Sequence, residues 1–108
     1  MSDLSTHVLD AVTGMPATGV SVILYDSDGA EVDSSTTDPD CRIGSLGGGG
    51  LTEGVYRLLF DTGKWFADNH IEGFYPEVAI TFSVTDTTRG HHVPLLLSPF
   101  AYSTYRGS

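Results

Sequence analysis

Glycine, proline and aspartate interrupt this 108-residue chain so often that only short segments remain between them, and most alternate with the two-residue period of a strand. The clearest is "EVAITFSVTD" (77–86), with Val78, Ile80, Phe82 and Val84 on one face and Ala79, Thr81 and Ser83 on the other. "THVLD" (6–10), "VSVILYD" (20–26), "GVYRLLF" (54–60), "HHVPLLL" (91–97) and "AYSTYRG" (101–107) also read as strands, and "EVDSSTT" (31–37) as a polar edge strand. The stretch "DPDCRIGSLGGGG" (38–50) is too glycine-rich to predict regular structure. "DTGKWFADN" (61–69) predicts one short helix near 62–68, capped by Asp61 or Thr62, with Trp65 and Phe66 packing down. Seven or eight short strands and one helix predict an all-β fold: a two-sheet antiparallel β-sandwich forming a single domain over 1–108.

Two segments say more than fold. In 91–97, His91, Val93, Leu95 and Leu97 share one face, while His92, Pro94 and Leu96 share the other. Both faces are largely apolar, whereas an ordinary sandwich strand has a wet outer side. One face should fill the core and the other should meet a second subunit. The last strand agrees, with Ser103, Tyr105 and Gly107 on one side and Tyr102, Thr104 and Arg106 on the other. Pro94 removes a ladder donor and predicts an edge or a local break.

Charge excludes some functions. Acidic residues outnumber basic ones 14 to 5, a net charge of −9, whereas nucleic-acid binding needs clustered Lys and Arg. A run of about 18 apolar residues is absent, as is a basic start followed by an apolar stretch, so neither a membrane span nor a secretory signal is expected. Cys41 is the single cysteine, which excludes an intrachain disulfide and fits a reducing, cytoplasmic setting.

Four histidines raise the question of a metal, but His91 and His92 are adjacent on a strand and point to opposite faces. No cysteine pair or spaced histidine pair completes a ligand set. His7 shares a face with Ser5 and Leu9; if that face also carries His92, two imidazoles could work as base and acid near neutral pH. Arg42 follows Asp38 and Asp40: it is either a loop ion pair or a guanidinium fork for a carbonyl-rich or anionic substrate. Cys41 has no flanking base, "GxSxG" is absent, and "LGGGGL" (46–51) lacks the spacing of a phosphate loop. The residues alone therefore support an oligomeric sandwich with a His/Arg/Tyr pocket.

Three stretches together resemble one family, the transthyretin-like 5-hydroxyisourate hydrolases: "LSTHVLDAVTGMPA" (4–17), "TDPDCRIG" (37–44) and "HVPLLLSPFAYSTYRGS" (92–108). "FYPEVAITF" (74–82) and "YRLLFDTG" (56–63) fit as well. The resemblance implies a transthyretin-like sandwich assembled as a homotetramer, with sites in a channel between dimers. It implies hydrolysis of 5-hydroxyisourate to 2-oxo-4-hydroxy-4-carboxy-5-ureidoimidazoline in urate degradation, by opening a ring C–N amide without metal or organic cofactor. Matched residue by residue, it implies catalytic roles for His7, Arg42, His92 and Ser108. Substrate binding would fall to His7, Arg42, Tyr105, Arg106 and Gly107. The ending Tyr105-Arg106-Gly107-Ser108 separates such hydrolases from transthyretin itself; a non-enzymatic carrier of a planar ligand in the same channel is the rival expectation. The chain departs from the family where Gly90-His91-His92 replaces His-Tyr-His and Asp40-Cys41-Arg42 replaces Asp-Gly-Arg. Cysteine makes a left-handed backbone costly there and bears on the aim of Arg42.

Overall fold

A computed structural model describes residues 4–39, 42–47 and 50–107, with Arg42 placed by its backbone. In chain order the elements are β1 (Leu4–Asp10), β2 (Ser21–Tyr25), β3 (Glu31–Thr36), β4 (Arg42–Leu46), β5 (Gly54–Phe60), α1 (Thr62–Asp68), β6 (Val78–Val84), β7 (His91–Ser98) and β8 (Ala101–Thr104). They form two four-stranded sheets, ordered β4-β1-β7-β8 and β3-β2-β5-β6. Every pairing is antiparallel except β1 with β7, which run parallel in the centre of the first sheet. Among the described residues no helix is long and apolar enough to cross a membrane.

The alternation read from sequence is what fills the space between the sheets. Val22, Leu24, Leu58, Phe60, Val78 and Val84 come from one inner face; Leu4, Val8, Leu46, Val93, Leu95 and Leu97 come from the other. Each such side chain contributes about 1.5–3 kcal/mol when fully buried, so a one-residue slip in any strand would invert the whole arrangement. The helix forms where expected. Asp61 caps it by accepting from the Lys64 amide at 3.2 Å, and Trp65 and Phe66 are its buried residues.

One sequence expectation needs correction, and strand boundaries shift elsewhere. The glycine-rich stretch 38–50 contains a strand after all, since β4 pairs with β1 through Leu4↔Leu46, Thr6↔Ile43 and His7↔Arg42. Two buried side chains, Ile43 and Leu46, and an open edge on β1 suffice to outweigh poor intrinsic propensity. Gly47 then ends the strand in the left-handed region (φ 81°), its amide donating to Asp33 Oδ2 at 2.8 Å. Elsewhere only boundaries move, most visibly where β1 starts at Leu4 and β8 stops at Thr104.

Pro94 explains that early stop. It lies in an interior strand, and the β7–β8 register (Leu95↔Thr104, Leu96↔Ser103) would place it opposite Tyr105. There the missing N–H leaves the ladder one donor short, and regular pairing lapses. Thr104 instead donates its hydroxyl to the Pro94 carbonyl at 2.7 Å. The same register resumes at His92↔Gly107, where the Gly107 amide donates to the His92 carbonyl at 2.8 Å.

Candidate active site

The outer face of the β4-β1-β7-β8 sheet brings two of the expected groups, His7 and His92, together. Period-two alternation sends Leu4, Thr6 and Val8 inward and leaves Ser5, His7 and Leu9 half-buried on the outside of β1. On β7 the outward set is His92, Pro94 and Leu96. The parallel register seats Ser5 beside His92 and His7 beside Pro94, so the two imidazoles are diagonal neighbours. Their ring centroids are 6.3 Å apart and the planes incline by only 22°, a stacked arrangement. The antiparallel register of β1 with β4 places the backbone of Arg42 directly opposite His7.

His92 is held on two sides. Its Nδ1 lies 2.8 Å from the Ser5 hydroxyl oxygen. Its Cγ–Cδ2 edge lies against Gly107 so closely that a Cβ at that position would sit 2.4 Å from Cδ2. Glycine is required at 107 because the ring occupies the space of a side chain, not because its backbone conformation is unusual. Tyr105, at the gap left by Pro94, is 60% exposed, and Arg106 is also exposed. Ser108, Cys41 and Asp40 lie outside the described residues.

His91 shows what one step along a strand does. It registers beside the buried Leu4, on the opposite face from His92, and reaches the rim between the sheets. There it faces Asp86, whose carboxyl is held below its ordinary value mainly by hydrogen bonds from the hydroxyl and amide of Thr88, with Arg89 and His91 adding favourable charge. A cleft of about 260 Å³ opens at this flank, between β6 and the β7–β8 pair, walled by Phe82, Asp86, His91, His92, Tyr105 and Arg106. It shares three residues with the expected site but does not include His7. We centre the candidate site on the imidazole pair, because proton transfer needs facing titratable groups and not merely a hollow. Among the described residues no group of three or more His, Cys, Asp or Glu is arranged to hold a metal ion.

Ser5 is a site neighbour that the sequence alone does not single out. The signal that finds it is the parallel pairing of β1 with β7, which joins residues 87 positions apart.

A β-sandwich with paired imidazoles on one outer sheet face defines a transthyretin-like scaffold carrying groups suited to acid–base chemistry. Residues 4–107 match the profile of the HIUase/Transthyretin family, and the chain belongs to that family. The mouse 5-hydroxyisourate hydrolase is 42% identical, over 99% of this chain and 96% of that protein. The solved structure of the Klebsiella pneumoniae 5-hydroxyisourate hydrolase superposes with a TM-score of 0.93 at 39% identity, covering both chains completely. Sea bream transthyretin, solved in complex with thyroxine, superposes with a TM-score of 0.88 at 29% identity, covering 96% of this chain and 93% of that one.

Proposed function

We propose that this protein hydrolyses 5-hydroxyisourate, opening a ring C–N amide to give 2-oxo-4-hydroxy-4-carboxy-5-ureidoimidazoline. The observation that carries the reading is the stacked His7–His92 pair, 6.3 Å between centroids, on a sheet face half-shielded by apolar neighbours. In the proposed reaction one imidazole takes a proton from water as the water oxygen adds to the amide carbonyl carbon. The carbonyl oxygen becomes an oxyanion, and the cation assigned to it is Arg42, whose backbone registers opposite His7. The C–N bond then breaks, and the departing nitrogen receives a proton from an imidazolium. Tyr105 would lie against the planar ring, with Arg106, Gly107 and Ser108 closing the site.

The imidazole pair lies on an open face in one chain. We therefore propose that two sheets of this kind face each other in a homotetramer, a dimer of dimers, and enclose the reaction in the channel between them. The working domain is the single sandwich, acting in the cytoplasm without metal or organic cofactor.

Mixing the protein with freshly generated 5-hydroxyisourate and following its ultraviolet decay tests the activity. Decay no faster than in buffer would overturn it, and tight retention of the ligand without turnover would favour a carrier. Solution mass should be about four times the 11.5 kDa chain; a stable monomer with full activity would remove the shared channel.

A further inference from the structure

We propose that Ser5 is a positioning residue for His92, holding Nδ1 so that the Nε2 edge is presented to the site through both protonation states of the ring. The proposal rests on the hydrolase reading above and adds a residue to its machinery.

The argument starts from register. Parallel pairing seats Ser5 beside His92 on the outer face, and the 2.8 Å contact from Oγ to Nδ1 is within ordinary hydrogen-bond length. Among the described residues the Ser5 hydroxyl has no other hydrogen-bond partner, so its one strong contact is spent on this ring. On the far side the ring packs against Gly107, its Cγ–Cδ2 edge occupying the space that a Cβ would take. Held at Nδ1 and along Cγ–Cδ2, the ring has its Cε1–Nε2 edge left for chemistry.

A hydroxyl suits this role better than a carboxylate. It accepts from Nδ1–H both in the neutral ring whose Nε2 is bare and in the imidazolium, and it donates to Nδ1 in the other neutral tautomer. The contact therefore survives a proton arriving at or leaving Nε2, and the ring keeps its aim throughout a catalytic cycle. A carboxylate in the same place could only accept and would favour the charged ring. With His7 stacked across the other face, a second permanent charge beside the pair would alter both imidazoles at once.

The test uses Ser5→Ala and Ser5→Thr in the full chain. Loss of one neutral hydrogen bond should lower kcat by roughly three- to tenfold, with KM within about twofold of wild type because Ser5 does not touch substrate. Threonine keeps the hydroxyl and should restore kcat. In two-bond ¹H–¹⁵N spectra the His92 Nδ1 resonance should move in Ser5→Ala and return in Ser5→Thr. This readout needs no turnover, so it decides the clamp even if wild-type protein leaves 5-hydroxyisourate untouched and the hydrolase reading fails. If wild type is active, a Ser5→Ala enzyme with unchanged kcat and an unmoved Nδ1 resonance overturns the proposal. So does a Ser5→Thr enzyme as slow as Ser5→Ala.

Discussion

The two sheets are built alike, each with four strands and one inner face in the core, yet their outer faces differ in kind. On the central strands of the first sheet, Ser5, His7, Leu9, His92, Pro94 and Leu96 are all at least half-buried within a single chain. On the central strands of the second, Val55 and Arg57 are exposed, and the Arg57 guanidinium lies 5.5 Å from the centre of the Tyr25 ring. One face keeps two titratable rings together among apolar side chains; the other carries a cation settled against an aromatic ring at the surface. Scaffold geometry alone therefore does not select a site. The chemistry of six outward positions does.

The contrast can be broken most directly at the imidazole pair. His92→Ala should lower turnover of 5-hydroxyisourate by at least about a hundredfold, the scale expected for a lost general acid or base, while the fold, whose core lies on the opposite side of β7, stays intact. His7→Ala should do the same within an order of magnitude; full activity in either variant would remove the pair from the mechanism. Gly107→Ala comes next. The new methyl would displace the His92 ring, which lies 2.4 Å away, and a misplaced catalytic group of this kind costs on the order of tenfold or more in kcat. Arg57→Ala on the other sheet sharpens the comparison from the opposite side. Turnover should stay within about twofold, and stability should fall by about 0.5–1 kcal/mol at most, the worth of an exposed cation–ring contact, as measured by urea unfolding. A large activity loss there would mean that both outer faces serve the site.

How much of this was legible beforehand depends on distance along the chain. The alternation in 78–84 and the cap at Asp61 are local, and both elements formed where the pattern put them. The opposite faces of His91 and His92 follow from the same period and are seen in the register. What local pattern could not supply was pairing. Nothing in residues 4–10 announces a parallel partner at 91–97, so the approach of His7 to His92 could be posed only as a condition, and Ser5 stood out only as a face-mate of His7. The strand at 42–46 was hidden for a related reason. Ile43 and Leu46 are a weak signal beside five glycines in 38–50, and only the unfilled edge of β1 turns that signal into structure.

Pro94 carries a consequence for anyone seeking a hardier version of this protein. Replacing it with alanine would return the absent amide proton to mid-sheet and invite the final strand to zip continuously from Thr104 to Gly107. Such a variant should melt at a higher temperature and yet handle its substrate less well, because the backbone that carries the Tyr105 phenol would be stitched into plain fabric.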